Sequence, residues 1–278
     1  VSKVLNNNGV IAIDMDENKE YVILGKGVGF GKKVSQRFDK PEGCTTYRLE
    51  QETERGSAKE LVKGIEPEYL EIADAILTES QKVFGDSIDR GILFPLADHI
   101  SFAVARIRRN EQISNPLTED IKVLFYSEFK VAETLKTILR ERLQIEIDDH
   151  EVGYVALHIH SAIGDEKVSV AMQTARAVRE CIDMIEKATG KPIDVLSLSY
   201  NRLMNHMKYM VARASTGEKL NLDMNEYMLD QYPQAYKVAT DICKNLEGCI
   251  GHKLDETETG YLAMHIERVA NDEREIEE

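Results

Sequence analysis

Two stretches of the chain repeat 107 residues apart. IDDHEVGYVALHIH at 147–160 returns as LDETETGYLAMHIE at 254–267, and LADHISFAVAR at 96–106 returns as LMNHMKYMVAR at 203–213. FKVA at 129–132 comes back as YKVA at 236–239 with the same shift. Further back, GDSID at 85–89 pairs with GKPID at 190–194 after a two-residue gap. A period this long is too great for a solenoid unit and right for a domain, so the body of the chain is two copies of one domain. Apolar positions recur at three and four within each copy, which makes both copies helical. About five helices per copy are expected, starting near 67, 90, 118 and 149, with a shorter element near 57. Asp148 with Glu151, and Asp255 with Glu258, have capping-box spacing. Asp89 is a candidate cap before the helix that carries His99.

The first 50 residues follow a different pattern. Apolar runs at Val10–Ile13 (VIAI) and Tyr21–Leu24 (YVIL) flank the polar stretch 14–19, which reads as a hairpin. Gly25, Gly27, Gly29 and Gly31 follow, too many for a helix or a regular strand. Thr45–Leu49 is a plausible last strand, and the polar run from Glu50 to Ser57 reads as a linker. The fold class expected is α+β multidomain: a small antiparallel β domain at residues 1–55, then two homologous all-α five-helix domains at 56–167 and 168–278. A module of about 50 residues is marginal alone, so it is expected to be stabilised as a homodimer.

Charge is distributed as unevenly as structure. The 278 residues carry 35 Lys+Arg against 49 Asp+Glu, a net of −14, which argues against non-specific coating of nucleic acid. Residues 1–49 nevertheless hold eight basic and six acidic residues. Five of the basic ones (Lys26, Lys32, Lys33, Arg37 and Lys40) cluster there, with only Asp39 among them. This is a small basic module on a large acidic body. The four cysteines are scattered with no CxxC pair, as in a cytoplasmic protein with reduced thiols. No apolar run is long enough for a membrane span, and the pattern of a secretory leader is missing. The chain opens on Val rather than Met, so its start is expected to be trimmed.

Four of the seven histidines survive the repeat: His99 with His206, and His158 with His265. His150, His160 and His252 have no counterpart. Tyr154 and Tyr261 lie four residues before the second histidine of each copy, and Glu151 and Glu258 lie seven before, all on one helix face. Arg106 and Arg213 lie seven after the first, about 10 Å of helix rise away. Three chemistries fit these residues. They are hydrogen-bonded core or interface histidines, metal ligands, or phosphoryl acceptors, since a neutral imidazole is a nucleophile near pH 7. Metal is disfavoured because His158 and His160 point apart on a helix, and the second copy has Glu267 where the first has His160. A phosphoryl group would need its charge paired, and Arg106 and Arg213 are candidates.

Lys3–Asn8 (KVLNNN) and Leu24–Lys33 (LGKGVGFGKK), followed by the two histidine-bearing copies, resemble the BglG/SacY-type bacterial transcriptional antiterminators. The resemblance covers essentially the whole chain in order. It implies a co-antiterminator RNA-binding domain and two regulation domains whose histidines are phosphorylated by the sugar phosphotransferase system. It further implies that a homodimer of the first domain holds a hairpin in nascent mRNA of a sugar-utilisation operon and so prevents a terminator from forming. Carried over by position, the RNA-facing residues are Lys3, Asn8, Gly25, Lys26, Gly27, Phe30, Gly31 and Lys32, and the phosphorylated ones are His99, His158, His206 and His265. Lys26 stands where many members carry Arg; it keeps the charge and loses the bidentate fork. The implied partners are the mRNA hairpin, a second copy, the phosphocarrier protein and the sugar-specific transporter, with no DNA, no membrane insertion, no cofactor and no enzymatic activity. The residues themselves leave room for an all-helical metal-dependent hydrolase with an accessory β domain, or for a purely structural dimer module. Phe30 among glycines, with Asn8 as donor and acceptor and lysines around it, suits splayed RNA bases independently of any resemblance.

Overall fold

The computed structural model describes residues 1–15, 17–49, 52–53, 56–111, 113–164, 167–194 and 197–271. Asp16, in the first hairpin turn, and Glu50, Gln51, Glu54 and Arg55 of the expected linker lie outside the described residues. Four antiparallel strands come first, hydrogen-bonded in sequence order: β1 (Lys3–Asn6), β2 (Gly9–Asp14), β3 (Lys19–Leu24) and β4 (Thr45–Arg48). Strand alternation sorts their side chains to two faces. On one face Val10, Ala12 and Ile23 pack with Val28 of the following loop, and Val1, Val4, Tyr21, Phe38 and Cys44 close around them. On the other, Ile11 stands opposite Val22, and Val22 opposite Tyr47, in a buried row across three strands.

The Tyr47 ring on that second face meets Phe94 edge-on, with centroids 6.4 Å apart. The sheet therefore takes part of its burial from helices of its own chain. Two glycines are dictated by close approach rather than by turn geometry. A Cβ on Gly29 would stand 2.0 Å from the Asn6 carbonyl oxygen, and one on Gly25 would stand 2.4 Å from the Cys44 sulfur. Both are separations that no side chain tolerates. Beyond the sheet, the described part of the expected linker pairs as two-residue strands, β5 (Glu52–Thr53) and β6 (Gly56–Ser57). Ser57 then caps the first helix through its hydroxyl.

The chain divides into two compact units: Val1–Asn115 with Ser127–Val168, and Pro116–Tyr126 with Ser169–Glu278. In the first, the helices are α1 (Ala58–Gly64), α2 (Pro67–Phe84) and α3 (Leu93–Arg108). After α4 (Thr118–Leu124), which belongs to the second unit, come α5 (Tyr126–Ala132), α6 (Thr134–Leu143) and α7 (Asp149–Gly164). Leu70, Ala73 and Leu77 of α2, Phe94, Ala97, Ile100 and Val104 of α3, and Val152, Val155, Ala156 and Ile159 of α7 are buried. The second unit holds α8 (Val168–Thr189), α9 (Leu198–Thr216), α10 (Asn225–Gln231), α11 (Pro233–Ile250) and α12 (Glu258–Asn271) around a core of Tyr200, Leu203, Met207, Ile242, Leu246, Leu262 and Ile266. Tyr200 donates its hydroxyl hydrogen to Asp120 of α4 at 3.0 Å.

Two helix expectations need correcting. The helix expected from about 90 begins at Leu93. Asp89 caps the 3₁₀ turn Arg90–Ile92 through Gly91 N at 2.8 Å, and Pro95 falls in the first turn of α3, where no backbone donor is needed. The expected helix from 118 is three helices: Phe125 leaves helical geometry (φ −117, ψ 47) with its ring buried between α4 and α5, and a turn at Glu133 separates α5 from α6. No Pro or Gly marks that break.

Gly29→Ala is expected to destabilise the first unit by about 1–3 kcal/mol. Gly64→Ala, with open space around it, is expected to stay within about 0.5 kcal/mol of the parent. Urea denaturation midpoints compare the two.

Candidate functional site

In the first unit, α3 carries His99 and α7 carries His158, with ring centroids 5.3 Å apart. In the second, α9 carries His206 and α12 carries His265, stacked at 4.8 Å. Tyr154 lies 5.7 Å from His99, and Tyr261 lies 6.1 Å from His206, completing the same three-ring cluster twice. The sequence pairing of histidines is thus a pairing in space. The rings sit at the margin of the helical core: His99 is 8% exposed and His158 7%.

The carboxylates tie each cluster together. Arg106 Nη2 donates to Glu151 Oε1 at 2.8 Å, and Glu151 Oε2 faces His99 Nε2 at 3.5 Å. In the second copy Arg213 grips Glu258 with two bonds, Nε to Oε1 at 2.6 Å and Nη2 to Oε2 at 2.9 Å, while Glu258 Oε2 faces His206 Nε2 at 3.6 Å. Both His–Glu separations exceed a hydrogen bond. Neither His99 Nε2 nor His206 Nε2 has a hydrogen-bond partner among the described residues.

This revises the capping-box expectation. Asp148 does cap α7, accepting from His150 N and Glu151 N. Asp255 likewise accepts from Thr257 N at 3.1 Å. The glutamates do not reach back to complete the box; they turn inward to the arginines. Glu151 and Glu258, already placed on the histidine face by the repeat, take a capping role in the sequence reading and not the tie to the arginines. The signal was present: both recur in the repeat, on the histidine face, at a position the cap explanation had already used. Arg106 and Arg213 lean back along their helices and meet this carboxylate.

Electrostatics set the protonation. Burial drives the His206 imidazole down to about 3, and His265 and Arg213 add to the effect. Burial also lowers His265, with Arg268 and Arg202 contributing. The second copy therefore presents two neutral rings at pH 7, the form with a free lone pair for nucleophilic attack. Burial raises the Glu151 carboxyl, but its interactions with His99 and Arg106 outweigh burial and leave it below the ordinary value. The unmatched histidines have other roles: His150 Nδ1 lies 3.2 Å from the Asn115 carbonyl oxygen, and His160 Nδ1 lies 2.9 Å from Glu128 Oε1. Among the described residues, no group of three or more His, Cys, Asp or Glu side chains is placed to hold a metal ion, and all four cysteines are free.

The second candidate site is the glycine-rich loop after β3. It is sewn to the Asn6–Asn8 turn by Gly25 N to Asn8 O at 2.9 Å and Gly29 N to Asn7 O at 3.0 Å. The Asn8 side-chain oxygen accepts from Gly27 N at 2.9 Å, and Gly27 sits at φ +74, a left-handed conformation natural to glycine. Asn8, Gly25, Lys26, Gly27, Phe30, Gly31 and Lys32 are thereby gathered on one rim. Phe30 projects from it, 74% exposed. Lys26 is exposed, while Lys32 is half-buried over the Phe38 ring, 4.8 Å from its centroid. Lys3 is exposed on β1. The loop's return is held beside the chain start by Ser35 N to Val1 O at 2.9 Å.

The depressed His206 value fixes a pH dependence. Between about 3 and 6.5 the unfolded ring binds a proton that the folded ring refuses, so stability is full above about 6.5 and is lost as pH falls through that window. The slope from this group is at most about 1.4 kcal/mol per pH unit. Urea midpoints at pH 7 and pH 5 should differ less for His206→Gln than for the parent chain.

Comparison with known proteins assigns a family to the domains that carry the two clusters. The CAT RNA binding domain matches residues 1–56, and the PRD domain matches twice, at residues 74–162 and 179–269. The GlcA/glcB genes antiterminator of Staphylococcus carnosus (strain TM300) is 30% identical over 272 residues, 96% of this chain and 94% of its own. The transcription antiterminator LicT of Bacillus subtilis (strain 168) is 27% identical over 273 residues, covering 97% of this chain and 98% of its own. A solved structure, the crystal structure of GlcT CAT-PRDI, matches with a TM-score of 0.51 at 29% identity, over 59% of this chain and 97% of that one. The hydrolase alternative has no support among these relatives. The chain belongs to the family of transcription antiterminators that join a CAT RNA-binding domain to a pair of PRD domains.

Proposed function

We propose that the chain is a non-enzymatic regulator that binds a hairpin in the nascent mRNA of a sugar-utilisation operon and keeps the overlapping terminator from forming. Its three working parts are residues 1–55, 56–167 and 168–278. The first part acts as a homodimer. The observation that carries the reading is the recurrence of one His–His–Tyr–Glu–Arg cluster in both helical copies behind a basic β module.

Phe30 is the stacking surface for a splayed base, a role every base fits through its π-face. Lys3, Lys26 and Lys32 supply positive charge to phosphates, and Asn8 with the backbone of Gly25, Gly27 and Gly31 reads base edges.

His99, His158, His206 and His265 accept phosphoryl groups from the phosphotransferase system, through its phosphocarrier protein and sugar-specific transporter. The neutral ring attacks through a nitrogen lone pair, and the P–N bond forms as the donor's bond to phosphorus breaks. The new group brings about −1.5 to −2 charges. At the distance separating Nε2 from the glutamate, one pair of like charges costs about 4 kcal/mol in a surface-like dielectric. The arginine cannot neutralise both partners, so it shifts from Glu151 or Glu258 towards the phosphate. That exchange loosens the bridge between the two helices of the copy. The resulting change in helix packing shifts the dimer equilibrium that brings two β modules together on one RNA.

A terminator reporter checks the sensor half. His99→Ala with His158→Ala should relieve repression in the absence of inducer, and unchanged repression would remove the first copy from the mechanism. Residue-by-residue mass spectrometry of chain incubated with the phosphocarrier should find phosphate on the paired histidines and not on His150 or His252. For the RNA half, Phe30→Ala should weaken hairpin binding in a gel shift by about tenfold or more.

A further inference from the structure

Glu71, in α2, contacts the rim that the proposed function assigns to RNA. Its Oε1 accepts from Asn6 Nδ2 at 2.7 Å, and its Oε2 accepts from Asn8 Nδ2 at 3.1 Å. Arg142 Nη1 stands 3.7 Å from Oε2. Asn8 is thereby engaged at both ends of its amide, since its oxygen holds Gly27 N. A donor that would read a base edge is in contact with a carboxylate, and that carboxylate, with Arg142 beside it, stands where a polyanion must approach.

The carboxylate is delivered there by a separate anchor. Asp74 lies three residues on, on the same side of α2. It accepts a short hydrogen bond from the Tyr47 hydroxyl of β4. Arg90 Nη2 bonds both, at 2.8 Å to the Tyr47 oxygen and 2.8 Å to Asp74 Oδ1. The Tyr47–Phe94 contact lies behind them. This anchor holds the sheet to the helix whether or not Glu71 is present, so the Glu71 contact is not needed for docking.

We propose that Glu71 is an autoinhibitory clasp: its carboxylate occupies the Asn6–Asn8 turn and competes with RNA for the Asn8 amide, so that the chain binds its hairpin at full strength only when the carboxylate leaves the turn. The inference rests on the RNA-binding reading of the rim and adds a regulation within one chain, distinct from bringing two modules together.

The test uses the full chain and a hairpin RNA enriched on the wild-type protein and on Glu71→Ala from a pool with randomised loops. Removing the carboxylate should tighten binding about fivefold to tenfold, the scale of one net hydrogen bond exchanged against a competing partner. Glu71→Gln keeps the shape and removes the charge, so it should tighten binding in the same direction and by less. Glu79→Ala removes the same charge from a half-buried position of α2 that pairs with Lys82, and its affinity should match wild type. Unchanged or weaker binding in both Glu71 variants, with Phe30→Ala still weakening it, overturns the clasp and leaves the RNA reading standing. Equal tightening in Glu79→Ala reduces the effect to net charge and also overturns the clasp. A pool that yields no hairpin on either protein overturns the RNA reading and the clasp with it.

Discussion

The helical copies depend on an arginine–carboxylate pair between two helices. Glu258 is almost completely buried, and two short bonds from Arg213 compensate its charge. A buried charge with its partner removed is far costlier than the intact pair is stabilising. The pair therefore acts less as a source of stability than as a constraint, because α9 and α12 cannot move apart without exposing or stranding a charge. Placing a histidine against the same carboxylate lets a modification of that ring act directly on the constraint. The first copy repeats the arrangement with a single arginine bond in place of two.

The β module uses a different economy. Its sheet has one face packed on its own loop and the other meeting helix α3 of the same chain, while Ile13, Thr46 and Arg48 stay exposed. The loop itself has few large side chains to anchor it. Its shape comes from backbone bonds to the Asn turn and from glycines that allow main chains to touch. That is why the rim can leave Phe30 in solvent and still hold a defined position.

Much of this was legible in the sequence because it is periodic. The 107-residue shift exposed two domains, paired the histidines and kept Tyr154, Tyr261, Glu151 and Glu258 on their face. The apolar runs Val10–Ile13 and Tyr21–Leu24 on either side of a polar stretch marked the hairpin. What escaped was what periodicity does not carry. The helix break at Phe125 has no Pro or Gly to announce it, since a buried ring decides it. The glutamates satisfied a local rule, the capping box, and tertiary contact with the arginines won. The Asn6–Asn8 contact with Glu71 joins positions more than sixty residues apart, and nothing local in either segment points to the other.

The backbone stitching of the glycine loop has a bearing on how far its surface can vary. Because Gly25 N and Gly29 N bond main-chain oxygens of Asn8 and Asn7, the scaffold is indifferent to most of the side chains it displays. Lys26 and Phe30, both exposed, can be exchanged while the frame stays put. The rim can therefore change its surface chemistry without first losing the ability to fold.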